Sequence, residues 1–462
     1  MLGLDTLKIM MSSISLKTLV YACSPSVVHP FFKRIEASDV GSRLARGVFW
    51  SVAGSVISRG LMLCATVLVA RMLGKTVYGE LGIIQTTVGM FGVFAGFGLG
   101  LTATKYVAEF RQSDPERAGR IIGLSGLFAM ATSSVMALGL LIFAPWLAEH
   151  TINAPHLSGI LRIGAMILFI NGLNGAQTGA LSGFEAFKTI AHVNLLVGLI
   201  SFPALVCGAY FGGLTGAVWA LAINLCFNWL FNHLALRKVA RRYSVPFSFR
   251  GCGREWPVLW KFSLPAVLAG SMVGPVNWAC NAMLVNRPGG YGEMGIFSAA
   301  NQWYALLLFL PGLLGSVVLP ILSDQLGQNN TKQSMKTLVL SIKVNLLIVI
   351  PLVLVASLAS PYIMRLYGKD FGDGWPTLVV VLITAGLLAV QAPVGQIIAA
   401  SGRMWVGFAM NFGWAITFIV STLFLVDHGS LGLASARLLG YIIHATWTFG
   451  FALRLIHNGV RN

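Results

Sequence analysis

Four basic side chains lie inside stretches that are otherwise long and apolar enough to cross a membrane: Arg59, Arg162, Lys343 and Arg437. A fifth, Lys105, sits at the edge of another such stretch. A charge at the centre of a membrane helix costs about 2.5–3.5 kcal/mol on insertion scales. It is retained where it faces protein, water or a ligand. Arg59 is the sharpest case, at the centre of the first apolar stretch. Ser51, Ser55, Ser58 and Thr66 recur around it at helical spacing and make a polar stripe. Facing a path, Arg59 would bind an anionic group; tied to neighbouring carbonyls, it would be structural. Arg162 and Arg437 fall near the outer ends of their spans and Lys343 near an inner end, within snorkelling reach of the interface. Lys105 reads as an interface anchor or as a guide for an incoming phosphate.

The acidic residues complete this picture. All 15 Asp and Glu fall in loops or near span ends. Carriers of cations or cationic drugs usually need a buried carboxylate, so the cavity charge expected here is positive. That suits an anionic substrate such as a phosphate-bearing lipid. Among uncharged polar residues within spans, Ser55, Gln177, Asn277 and Gln396 suit sugar hydroxyls. Their simpler role is interhelical glue worth about 0.6 kcal/mol each. His444 is the one candidate proton carrier, against the simpler role of a structural histidine. No cluster has metal-ligand spacing, and no glycine-rich nucleotide loop adjoins a lysine. The six cysteines include no CxxC pair. No cofactor, no metal and no enzymatic activity are expected.

The elements that must position these residues are membrane helices. The 462-residue chain is 56% hydrophobic and 10% charged, where soluble domains carry roughly 25% charged residues. The expected fold is all-α and polytopic, with about twelve spans in two six-helix lobes related by an axis along the membrane normal. Residues 1–46 form a cytoplasmic extension, within which Met10 or Met11 could be the true start. Residues 47–236 form the first lobe, 237–257 a basic inter-lobe linker, and 258–462 the second lobe and a short tail. Of the 32 Lys and Arg residues, 23 fall on the side holding both termini and five on the other. The positive-inside rule then puts both termini in the cytoplasm of a cell-membrane protein. It also accounts for the net charge of +17 without nucleic acid. The lobes read as a repeat: Tyr78-Gly79-Glu80-Leu81-Gly82 is echoed by Tyr291-Gly292-Glu293-Met294-Gly295, an offset of 213, and Gln177 by Gln396, an offset of 219. Two lobes around a central cavity are transporter architecture.

The run "SRLARGVFW…VARMLGKTVYGELGIIQ…GFGLGLTATKYVAEF" over 42–110 resembles the polysaccharide transporter family. That family includes the Wzx-type O-antigen flippases and belongs to a superfamily with lipid II flippases and multidrug extruders. The resemblance implies movement of an oligosaccharide linked to a polyprenyl diphosphate to the outer leaflet, for O-antigen, capsule or exopolysaccharide synthesis. It also implies membrane-lipid contact, basic cavity residues that hold the diphosphate, and by analogy a partner polymerase or glycosyltransferase. Two other readings stay open. One is a cation-coupled drug or small-molecule exporter on the same scaffold, and the other a membrane glycan polymerase or ligase.

Overall fold

The computed structural model describes residues 39–246, 251–263, 267, 270–327, 330–401 and 404–459. The cytoplasmic extension expected over 1–46 lies mostly outside them. The described chain is helical and contains no strand. Its main elements are α1 (Asp39–Gly96), α2 (Leu99–Phe110), α3 (Pro115–Trp146), α4 (Ser158–Gly183) and α5 (Phe187–Arg242). After the linker come α6 (Val273–Val285), α7 (Gly290–Leu307), α8 (Phe309–Gly327), α9 (Thr331–Leu358), α10 (Ser360–Tyr367), α11 (Trp375–Ala400), α12 (Met404–Leu425) and α13 (Gly429–Gly459).

Seven stretches among the described residues are long and apolar enough to cross a membrane. The longest hold 55 and 56 residues, about 80 Å of helix against a hydrocarbon core of about 30 Å. Both reverse direction inside. The reversals sit at Gly74 (φ 74°, ψ 167°) and Gly213 (φ 54°, ψ −135°), backbone values that only glycine adopts without strain. Past Gly213 the two arms pack so closely that a Cβ on Gly208 would lie 2.9 Å from Ala220 Cβ. Of the two crossings expected over 258–286 and 292–319, the first is only partly described, and the second is interrupted at Leu308.

Helix starts follow local chemistry. Asp114 caps α3 by accepting from Arg117 N at 2.9 Å, with Pro115 in the first turn. Asn330 caps α9 by accepting from Gln333 N at 3.1 Å. Small residues then set the packing. A Cβ on Gly179 would meet the Gly100 backbone at 2.6 Å, so α2 and α4 touch main chain to main chain. The turns after α1's first arm, α3, α5's first arm, α6, α9 and α12 gather at one end of the bundle, called here the far end. The inter-lobe linker marks the other, the linker end.

The two halves meet at the far end with near two-fold symmetry. A Cβ on Gly79 would strike the Tyr291 carbonyl and lie 2.8 Å from Gly295 N. A Cβ on Gly295 would strike the Lys75 carbonyl and lie 3.3 Å from Gly79 N. Arg71 Nε donates to the Leu366 carbonyl, and Asn286 Nδ2 donates to the Thr151 carbonyl at 2.7 Å. Both sets of contacts repeat at an offset of 215–216. The Tyr-Gly-Glu echo in the sequence, at 213, is thus about one helical turn out of register with the seam. Gly79 faces Gly295, not Gly292.

The described part of the linker is docked. The Tyr243 ring stacks on Phe184 at 5.3 Å. Glu255 accepts from Arg117 Nε at 3.1 Å and pairs with Arg120 at 3.4 Å. The described part of the linker belongs with the N-terminal half.

Candidate functional site

The site is built around α7, which receives one arginine from each half. Arg59 projects from the first arm of α1. Its neighbour Ser58 packs against α5, where a Cβ on Gly198 would lie 3.1 Å from Ser58 Cα. One residue on, about 100° around the helix, Arg59 turns to the C-terminal half. Its guanidinium lies 4.3 Å from the centre of the Phe309 ring, and Nη1 is 3.5 Å from the Ala305 carbonyl, the outer limit of a hydrogen bond. Arg59 is otherwise exposed. It is a cation within an apolar stretch, held by two weak contacts across the boundary between the halves.

Arg437 comes from α13 and meets the adjoining stretch of the same helix. Nη1 donates to Asn301 Oδ1 at 3.0 Å. The guanidinium sits 4.4 Å from the Tyr304 ring centre and 4.9 Å from that of Phe297. Phe297, Asn301 and Tyr304 stand at helical spacing on one face of α7. Asn301 and Ala305 are four residues apart, about 6 Å along the helix. The two arginines thus address neighbouring turns of one helix, one from each half. They differ in environment, because Arg437 is 4% exposed. The sequence puts Arg437 within reach of the membrane interface; the structure encloses it in the C-terminal half.

The other expected residues disperse. Arg162 is exposed near the start of α4. Lys343 is exposed on α9 beside a shallow depression lined by Met335, Lys336, Val339 and Leu340 of the same helix. Lys105 lies 4.9 Å from the Tyr106 ring centre. None of these three is brought to α7. Thr66, part of the polar stripe, is buried and donates to the Leu63 carbonyl at 2.9 Å. The side chains of Ser51 and Ser55 lie outside the described residues.

The polar candidates are mostly engaged inside their own halves. Gln177 contacts Trp229 with both amide atoms at 3.1 Å in the orientation that satisfies them. Asn277 donates to the Val273 carbonyl at 2.7 Å, one turn back on its own helix. Gln396 packs on α8, where a Cβ on Gly315 would lie 3.2 Å from its Nε2. His444 Nδ1 is 2.5 Å from Gln391 Nε2, which also donates to Thr448 at 2.8 Å. Among the described residues no group of three His, Cys, Asp or Glu could hold a metal.

Phe309, Ala305 and Tyr304 were not singled out by the sequence. Aromatic and small apolar residues in a membrane helix carry no signal until a charge is found against them.

The chain resembles known proteins along most of its length. It is 25% identical over 423 residues to the EPS I polysaccharide export inner membrane protein EpsE of Ralstonia nicotianae, covering 87% of this chain and 94% of that protein. It is 25% identical over 288 residues to the lipid III flippase of Escherichia coli, covering 61% of this chain and 67% of that protein. The fold matches an inward-facing multidrug resistance MATE family transporter of the MOP superfamily with a TM-score of 0.73 and 15% identity, over 90% of this chain and 99% of that one. Residues 44–326 match the model of the family described as "Polysaccharide biosynthesis protein". This helical, two-lobed membrane protein, in which Arg59 and Arg437 meet neighbouring turns of α7, belongs to that polysaccharide biosynthesis family.

Proposed function

We propose that this protein is a flippase for lipid-linked oligosaccharides. It moves units carried on a polyprenyl diphosphate from the cytoplasmic to the outer leaflet by alternating access, for cell-surface polysaccharide synthesis. The observation that carries this reading is Arg59: an exposed cation within a span, at the boundary between the halves, with no carboxylate beside it among the described residues. Glu80, Glu185, Glu255, Glu293 and Asp427 are all at helix ends or in turns. A diphosphate offers Arg59 short charge-assisted bonds in place of a long contact to a carbonyl and a ring face.

Charge distribution supports taking the linker end as cytoplasmic. Both termini and the basic linker then face the cell interior of a multi-pass inner-membrane protein. Two negative charges moving outward through an inside-negative potential gain about 2.3 kcal/mol per charge per 100 mV. A buried coupling carboxylate is therefore not required. Transport rather than bond chemistry also agrees with the names of the relatives. A polymerase or glycosyltransferase that uses the exported unit is the partner this reading calls for.

A cation-coupled exporter is the second reading, favoured by the fold shared with a multidrug transporter. One experiment separates the two. In cells lacking the protein, complete lipid-linked oligosaccharides should accumulate on the cytoplasmic face. Wild type should relieve this, and Arg59→Ala at equal protein level should not. Normal lipid-linked sugars with altered drug sensitivity would favour the exporter. Full relief by Arg59→Ala would remove Arg59 from the mechanism.

A further inference from the structure

Arg437 is the most enclosed cation among the described residues, and its hydrogen-bonding capacity is mostly unused. A guanidinium has five N–H donors. Here Nη1 has one acceptor, Asn301 Oδ1, while Nε and Nη2 find no acceptor in the protein. Two aromatic faces, Tyr304 at 4.4 Å and Phe297 at 4.9 Å, pack against the group. The titratable groups next to it are the Tyr304 and Tyr441 hydroxyls. Among the described residues, none of the ion pairs involves Arg437. An enclosed charge without an opposite charge is strongly disfavoured in a low-dielectric interior.

A second buried donor lies in the same part of the C-terminal half. Tyr441 packs against Trp414 with ring centres 5.2 Å apart, and Trp414 Nε1 is also buried without an acceptor. Trp414 is 2% exposed. A buried guanidinium whose Nε and Nη2 find no acceptor in the protein describes an anion site. Its size is limited: with Arg437 4% exposed, a sugar-bearing lipid headgroup has no entry. The repeat also explains why the site is single. At the offset of 216 the counterparts of Arg437, Asn301 and Tyr304 are Leu221, Gln85 and Val88, so the N-terminal half lacks the cation.

We propose that Arg437, held in place by Asn301 and the Tyr304 ring, binds one small inorganic anion of the chloride type through Nε and Nη2 inside the C-terminal half, beside α7. The site is separate from the one assigned to Arg59, and neither reading requires the other.

The test uses the full chain in detergent or nanodiscs. Thermal unfolding is followed with chloride, bromide, inorganic phosphate or gluconate at constant ionic strength. Chloride and bromide should raise the midpoint by about 2 °C or more over gluconate, saturating with concentration. Arg437→Met should lose that dependence, Arg437→Lys should weaken it, and Arg59→Gln should keep it. A bromide-soaked crystal of the unaltered protein should show anomalous density beside Nε and Nη2, a result that does not depend on any variant folding. Stabilisation that persists unchanged in Arg437→Met would overturn the proposal. So would the absence of both anion dependence and bromide density, which would leave water as the partner. Phosphate stabilising through Arg437 where chloride does not would also overturn it and would return the residue to the diphosphate path.

Discussion

Gly79→Ala tests the far-end seam directly. The added Cβ would lie 2.8 Å from Gly295 N and 2.9 Å from Tyr291 C, and closer still to the Tyr291 carbonyl oxygen. All of these are backbone atoms, so no side chain can rotate away. The halves must separate locally by about an ångström. Overpacking of this kind costs about 1–3 kcal/mol, and each 1.4 kcal/mol is tenfold in an equilibrium. The ratio of closed to open seam should fall roughly 5- to 150-fold. Nitroxide labels at Glu149 and Asp370, both exposed at the far end of opposite halves, would report that ratio as near and far distances by double electron–electron resonance. Gly60→Ala is the control, because nothing lies within 4 Å of its added Cβ. Gly82→Ala should be milder, since the Cβ meets the Ser298 side chain, which can move. A Gly79→Ala distance distribution identical to that of the parent would refute the reasoning.

Locking the seam should have the opposite effect. A Cβ at 292 lies 3.7 Å from Lys75 Cγ, so Lys75→Cys with Gly292→Cys, in a background without the native cysteines, should form a disulfide that halts transport until reduced. Transport that continues with the disulfide intact would mean the far end need not open. Glu255→Gln should loosen the linker. Glu255 is 8% exposed and its partners Arg117 and Arg120 are 38% and 23% exposed, which discounts the loss to roughly 1–2 kcal/mol. The expected outcome is a lower unfolding midpoint and faster proteolysis within 243–263; an unchanged cleavage rate would show that other contacts hold the linker.

Much of the scaffold was legible because membrane insertion writes itself into composition. Apolar runs follow from satisfying the backbone in lipid, and the placement of Lys and Arg follows the positive-inside bias; the reversals at Gly74 and Gly213 came from the structure. The repeat was legible but its register was not. Tyr78-Gly79-Glu80 matches Tyr291-Gly292-Glu293 letter for letter, while the contact geometry pairs Gly79 with Gly295. Local identity reports shared ancestry of a segment; the seam is fixed by turn length and by which small residues let two backbones meet. The candidate cations show the same division. A charge in an apolar span was visible at Arg59 and at Arg437 alike. Whether each meets the boundary between the halves or an interior depends on helix rotation, which a single charged position does not set. The polar residues Gln177 and His444 were visible as polar, but their partners Trp229 and Gln391 come from other helices.

The contrast between the two arginines bears on how substrate and motion could be linked. Arg59 joins the halves through a carbonyl contact at 3.5 Å and a ring face at 4.3 Å. An exposed cation–π contact contributes about 0.5–1 kcal/mol, and a hydrogen bond at that length adds little. A diphosphate would displace both with shorter, charge-assisted bonds. On this hypothesis, binding removes one attachment between α1 and the α7–α8 junction in the same event that captures the ligand, and the closed state is left to the far-end seam and to contacts such as Trp278 Nε1 to Thr87 at 3.0 Å. A ligand shifts such an equilibrium only through contacts that differ between its states, and Arg59 supplies one. Lipid-linked diphosphate should therefore move the Glu149–Asp370 distances toward the separated population in the parent and leave them unmoved in Arg59→Gln. Equal movement in both would show that the substrate drives the halves through some other group.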